Sequence, residues 1–156
     1  ITQENRISDG STPGGVEQTG AVIDGWELQV NKRWQRFETQ LAYTDLNARD
    51  DASGNRLPYV AERQASWWNQ LYIANNWRVG AGVRYVGDNV GSGGGPVVPS
   101  VTLYDAMIGY TWQNWDFTVD AKNLADDEYI TWCRSEGADC GYGERRTVNA
   151  NAKYRF

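Results

Sequence analysis

The chain has 156 residues, with 15 Lys and Arg against 20 Asp and Glu, no histidine and a formal net charge of −5. A mean hydropathy of −0.65, with no window near about 18 unbroken apolar residues, excludes a transmembrane helix. The acidic balance, without a basic patch interleaved with aromatics, excludes a nucleic-acid partner.

The length fits one domain. Aromatic residues are abundant, with eight Trp, nine Tyr and three Phe, many of them where strands should end. Ile1 to Asn5 has neither a basic start nor an apolar stretch, as expected if a leader has been removed or if more chain precedes it.

A short strand is expected near Ile1 to Ile7, followed by a polar connection at Ser8 to Gly15. From Val22 onward, Trp26, Leu28, Val30 and Trp34 form an apolar set. They oppose Gly25, Glu27, Gln29, Asn31 and Arg33, with Asp24 and Lys32 as polar exceptions. A turn at Gln35-Arg36 leads to Phe37, Thr39, Leu41 and Tyr43, set against Glu38, Gln40, Ala42 and Thr44. A long connection from Asn47 to Ala61 precedes a strand over Arg63 to Ala74, with Ala65, Trp67, Leu71 and Ile73 on one face and Asn69 as its exception. After a turn at Asn75-Asn76, Trp77, Val79, Ala81, Val83 and Tyr85 alternate with Arg78, Gly80, Gly82 and Arg84.

A second long connection, Asp88 to Ser100, leads to Tyr104, Ala106, Ile108, Tyr110 and Trp112. Gln113-Asn114 turns into Trp115, Phe117, Val119 and Ala121, opposed by Asp116, Thr118, Asp120 and Lys122. A third long connection, Ala125 to Glu144, precedes the last strand. There Val148, Ala150, Ala152, Tyr154 and Phe156 alternate with Thr147, Asn149, Asn151, Lys153 and Arg155. Period-two alternation of this kind is that of a β-strand with two unlike faces.

Eight strands result, joined by connections that are short and long in strict turn. A β-sandwich gives no reason for that alternation. A transmembrane barrel does, with short turns on the periplasmic side, long loops outside and aromatic girdles at the interfaces. The expected class is therefore all-β, with antiparallel transmembrane strands facing lipid on one side and a polar lumen on the other. Glu27, Arg33, Arg78, Arg84, Asp105, Asp116, Asp120, Lys122, Asn149, Lys153 and Arg155 should line that lumen.

Cys133 and Cys140 are the two cysteines. One pair without histidine makes a poor metal site. A disulfide that shapes the surrounding loop suits an oxidising compartment, where two free thiols would be unusual. The absence of histidine removes the usual general base, and no Ser-Lys or Cys nucleophile context replaces it, so no enzyme is expected. Asp50-Asp51 and Asp126-Asp127-Glu128 lack the Gly-punctuated spacing of a calcium loop and read as solvated loop charge.

From about Gln18 to Phe156 the chain resembles the TonB-dependent outer-membrane receptors that import ferric siderophores. The resemblance is carried by Glu17-Gln18-Thr19-Gly20 leading into Gly25-Trp26-Glu27-Leu28, and by Thr102-Leu103-Tyr104-Asp105 with Gly109-Tyr110. It continues through Asn123-Leu124-Ala125-Asp126-Asp127-Glu128-Tyr129 and Tyr142-Gly143-Glu144-Arg145-Arg146-Thr147-Val148 to Tyr154-Arg155-Phe156. Ile23-Asp24 departs from the small or basic pair more usual in the family.

The resemblance implies a barrel of about 22 strands whose lumen holds an N-terminal plug. Residues 1–156 would be a C-terminal segment of that barrel in the bacterial outer membrane, with the plug domain absent from this chain. Its partners would be outer-membrane lipid, the remaining barrel and plug, and the TonB complex through the missing N-terminal part. No cofactor would be bound directly, and a ferric siderophore would be the transported ligand. Such a chelate calls for aromatic walls and hydrogen-bond donors at the outer mouth. Trp132, Arg134 and Tyr142 in the cysteine loop are the first candidates, with Tyr129 and Tyr59 after them. The alternative is a self-contained eight-stranded outer-membrane barrel with a structural or adhesive role.

Overall fold

The computed structural model describes residues 2–9, 16–74, 76–92, 95–134 and 139–156, with the backbone alone described for 2–9 and 16–19. Ile1, most of the Ser8 to Gly15 connection, Asn75 of the second turn, residues 93–94 and residues 135–138 of the cysteine loop lie outside the described residues. The strands in chain order are β1 (Thr2–Asp9), β2 (Val16–Arg33), β3 (Phe37–Asp50), β4 (Arg63–Ile73), β5 (Trp77–Val86), β6 (Asn89–Val90) and β7 (Val97–Val98). They continue with β8 (Val101–Trp112), β9 (Trp115–Lys122), β10 (Ile130–Cys133), β11 (Cys140–Tyr142) and β12 (Thr147–Tyr154).

Eight of these form one antiparallel sheet in the order β1-β2-β3-β4-β5-β8-β9-β12. They are the eight strands expected from alternation. Among the described residues no ladder joins β12 to β1, so the sheet is open. The pairs β6-β7 and β10-β11 are separate hairpins within the second and third long connections, and neither was expected.

The register fixes the tilt. One outward row runs through Lys32, Thr39, Asn69, Ala81, Ala106 and Ala121, which oppose one another on successive strands. Counted from the strand ends at Trp34, Phe37, Ile73, Trp77, Trp112 and Trp115, the row stands two residues up on the first hairpin, four on the second and six on the third, so it climbs two residues for every two strand spacings. At about 3.3 Å per residue and about 4.8 Å per spacing, the strands lean about 35° from the line of short turns, within the range of membrane barrels.

The outward face is a continuous apolar surface. Trp26, Leu28, Val30, Leu71, Ile73, Trp77, Tyr104, Ile108, Trp112, Val119, Val148 and Tyr154 all expose large hydrophobic area on it. Ring pairs cluster at its lower rim, where Trp77 meets Tyr110 at 4.5 Å and Trp115 meets Tyr154 at 5.0 Å between centroids. In water such a surface would drive aggregation. Against lipid it is the expected belt.

Alternation changes sense near Gly25 and Leu46. Below that level apolar residues point outward; above it the inward positions Ala21, Ile23 and Ala48 are the apolar ones. Ala21 and Ala48 are buried in a small core with Leu57, against which Ile23 and Val60 pack. The outward positions Asp24 on β2 and Asp45, Asn47 and Arg49 on β3 are polar, with Asp24 directly opposite Asn47. The wall therefore rises beyond the lipid, wet outside and covered inside. The long connection after β3 begins later than expected for this reason, since the strand runs to Asp50 rather than ending before Asn47.

Candidate functional site: the outer mouth

Two ion pairs brace the lumen wall. Arg78 donates from Nη1 and Nη2 to the Asp116 carboxylate at 2.9 and 2.6 Å, and from Nη2 to Thr118 Oγ1 at 2.8 Å. Arg84 donates to Asp105 through Nε at 2.6 Å and Nη2 at 3.0 Å. Forked pairs of this kind fix orientation as well as charge. The Trp68 ring lies flat along β5 on the same face, where a Cβ at Gly80 or Gly82 would run into it. Those two glycines are a seat for an indole. Alternation marks them only as small residues and gives no sign of the Trp68 indole they receive.

The third long connection is tied down where it leaves β9. Asn123 is 2% exposed and sits at φ +52°, a left-handed conformation that asparagine tolerates. Its Nδ2 donates to Asp127 O at 2.8 Å and Glu144 O at 3.0 Å, and its Oδ1 accepts from Asp127 N at 2.9 Å. Its backbone N donates to Asp105 Oδ1 at 3.0 Å, joining this knot to the Arg84 pair. Asp126 accepts from Arg145 Nε and Nη2 at 3.1 and 3.0 Å and from Arg146 N at 2.9 Å, while Glu128 accepts from Arg145 Nη1 at 3.0 Å. The Asn-Leu-x-Asp-x-x-Tyr element and the Arg145-Arg146 step thus clasp the two ends of one loop. The acidic run, expected to be plain solvated charge, is partnered by arginine.

Hydrogen bonds from Arg145 hold the Asp126 carboxyl down at about 2. A carboxyl depressed in the folded state stabilises it above the ordinary value and loses that contribution as the pH falls through the depressed value. The clasp should therefore hold at pH 5 and above and loosen between about pH 4 and pH 2. Pepsin cleavage between Leu124 and Arg146, compared with an Asp126→Asn variant, would report this. The variant should be cut faster at the top of that window and at the wild-type rate at its foot; equal rates throughout would refute the clasp.

Beyond this base, three connections meet. Tyr59 N donates to Val90 O at 2.9 Å, and Tyr59 Oη donates to Ser92 Oγ at 2.6 Å, joining the first and second long loops after β3 and β5. Asn89 Nδ2 donates to Thr131 O at 3.2 Å, joining the second to the third. The β6-β7 hairpin lies so close to β10 that a Cβ at Gly91 or Gly95 would strike the carbonyl of Cys133 or Arg134. Val98 on β7 and Cys133 on β10 are buried where these hairpins meet. Cys133 and Cys140 are joined across β10 and β11, which holds that hairpin shut as expected.

The candidate ligand residues fall in different places. Trp132 and Tyr59 are both half-exposed and meet edge to face, 6.2 Å between centroids and 84° between planes. Tyr59 holds φ +66°, a strained conformation for a non-glycine residue and one that tends to occur at working sites. Tyr142 is 67% exposed and stands opposite Ile130, so Trp132 is paired in the structure with Tyr59 rather than with Tyr142. Arg134 is a surface group 3.8 Å from Asp139. Tyr129 packs over Gly143, at the base of the loop rather than in the mouth. No sequence signal connects Tyr59 to Trp132, which are far apart in the chain and meet only through the loop packing.

A family described as TonB dependent receptor-like, beta-barrel matches residues 1–124. The chain belongs to the TonB-dependent receptor β-barrel family. Its strands are accordingly outer-membrane strands. The catecholate siderophore receptor Fiu of Escherichia coli (strain K12) is 32% identical over 148 residues, covering 86% of this chain and 20% of that protein. The ferrioxamine receptor of Yersinia enterocolitica is 30% identical over 169 residues, covering 98% of this chain and 24% of that protein. The crystal structure of the ferric-catecholate import receptor Fiu from K12 E. coli in its closed form superposes with a TM-score of 0.79 at 26% identity, over 98% of this chain and 24% of that one. The copper transporter OprC shares the fold, with a TM-score of 0.82 at 16% identity. The chain spans about a fifth to a quarter of the length of these relatives.

Proposed function

We propose that residues 1–156 are the C-terminal barrel segment of an outer-membrane receptor that takes up ferric siderophores, energised by TonB through a part of the receptor outside this chain. The remaining barrel strands would pair with the free edges of β1 and β12, which in lipid would otherwise leave a row of backbone groups unsatisfied. The plug would face the Arg78, Trp68 and Arg84 side of the wall. Family membership and the names of the two relatives support the reading, and no catalytic role is proposed.

The observation that carries it is the convergence of three long loops on a half-exposed aromatic pair, Tyr59 and Trp132, at the mouth. Two perpendicular rings give a bulky chelate an apolar corner, and the exposed Tyr142 on the same hairpin as Trp132 offers a hydroxyl donor. Replacing Trp132 and Tyr142 together by alanine in the whole receptor should weaken binding of a ferric catecholate or of ferrioxamine by roughly 1–3 kcal/mol. The barrel should keep its heat-modifiable gel migration, because both residues lie above the lipid-spanning strands. Wild-type affinity for both chelates in a correctly inserted double variant would remove these residues from the site.

A further inference from the structure

Asn123 sits where the sheet is interrupted. The β8-β9 register pairs Ile108 with Val119 and Ala106 with Ala121, and one more step would set Asn123 against Tyr104. Instead Leu124 N donates to Tyr104 O at 2.8 Å, so Asn123 is one residue too many for the ladder. Such an insertion leaves its own N–H out of the ladder and turns the chain that follows. Here the displaced donor is taken by a side chain, Asp105 Oδ1 at 3.0 Å. That oxygen also accepts from Arg84 Nη2 at 3.0 Å, while Arg84 Nε donates to Oδ2 at 2.6 Å, so the fork fixes the plane of the carboxylate. The Asp105 side chain is 15% exposed, which leaves water little room to stand in for it.

What the insertion aims is Trp132. The Asn123 side chain grips Asp127 O and Glu144 O, the two ends of the loop. Above that grip the loop runs as one unit. Gly143 N donates to Tyr129 O at 2.8 Å, Ile130 stands opposite Tyr142, the Trp132 ring lies against Gly141 and the disulfide closes the top. Tyr59 is anchored separately, through its own N–H to Val90 O and through Leu57 N, which donates to Ala48 O at 3.0 Å. The edge-to-face contact of Tyr59 with Trp132 therefore joins two units with different foundations, and Asp105 is the foundation of one of them.

We propose that Asp105, oriented by Arg84, is a positioning residue for chelate binding, setting from the lumen wall how Trp132 meets Tyr59 without touching the ligand. The role rests on that aromatic corner binding a chelate, as proposed above. The whole receptor in detergent would be titrated with ferrioxamine and with a ferric catecholate, and the tighter of the two followed in Asp105→Ala, Trp132→Ala and the double variant. Asp105→Ala should weaken binding about fivefold, the scale on which residues remote from a ligand act through packing. In the Trp132→Ala background the same change should do nothing further, because the residue it acts through is gone. A residue that merely stabilised the barrel would lower affinity equally in both backgrounds, and that result would overturn the proposal. Wild-type affinity in Asp105→Ala beside a weakened Trp132→Ala would overturn it too, while leaving the corner in place. Wild-type affinity in Trp132→Ala would retire the corner and the role of Asp105 together. If Asp105→Ala fails to insert, amide hydrogen exchange on the wild-type receptor decides. Coupling between sites is reciprocal, so saturation with the same chelate should slow exchange at Asn123 and Asp127 about fivefold, and unchanged rates would overturn the proposal.

Discussion

Replacing Asn123 by alanine is expected to lower stability by about 3 kcal/mol and to free the loop between β9 and β12. The side chain is buried and makes three hydrogen bonds, two to carbonyls and one from a backbone N–H. Its removal leaves Asp127 N, Asp127 O and Glu144 O without that partner, and it puts alanine in a left-handed conformation that alanine resists. The asymmetry of hydrogen bonding makes the effect large, because losing one partner strands the others. Urea unfolding of the receptor in detergent should show a lower midpoint at unchanged slope. Trypsin should cut after Arg134 or Arg145 sooner than in the wild type. An unmoved midpoint with unchanged cleavage would show that the clasp from Arg145 to Asp126 holds the loop without the asparagine.

A second large effect is expected at Arg78. Methionine there leaves the Asp116 carboxylate, 17% exposed, without its forked cation, and only Thr111 and Thr118 remain to donate to it. Removing one partner of a largely buried pair costs about 3–5 kcal/mol, whereas replacing both by apolar groups is often close to neutral. Arg78→Met should therefore be severely destabilised, and Arg78→Met with Asp116→Leu should recover most of the loss. Midpoints from the same urea titration give the coupling directly. A double variant no better than the single one would mean that Arg78 contributes through its packing over Gly109, where a Cβ would meet its guanidinium, and not through charge.

The sheet was legible in the sequence because lipid on one side and a polar lumen on the other impose period two without interruption. Trp77 to Tyr85 and Trp115 to Ala121 are read correctly from alternation alone, and their partners follow from the turns between them. The signal failed where the solvent on the two faces changes. Asp24 looked like an exception on an apolar face, yet it belongs to a stretch of wall standing above the lipid, where outward means wet. Lys32 and Asn69 looked equally out of place, and in the structure one outward row joins them through Thr39.

The mouth was legible in part. The cysteine pairing could be argued from compartment and loop composition, and the structure joins those two residues. The Asn-Leu-x-Asp-x-x-Tyr element was visible as a family signature, but its physical role, closing one loop on itself, needed the left-handed Asn123 and the reach of Arg145. Hairpins as short as β6-β7 and β10-β11 carry too few residues to show a period. The contact between Tyr59 and Trp132 depends on how three loops stack, and local pattern holds no record of that.

The small core beneath Leu57 has a bearing on access. Prising the loop that carries Leu57 and Val60 from the inner wall would wet both side chains together with Ala21, Ile23 and Ala48. At about 1.5–3 kcal/mol for each large apolar side chain returned to water, that is several kcal/mol of dewetting to reverse. The loop thus rests on the wall partly by water's own preference, alongside the Leu57 N–Ala48 O hydrogen bond and the Arg49–Glu62 ion pair. A freely hydrated solute offers nothing in exchange, whereas an arriving molecule with an apolar flank replaces the contacts it displaces.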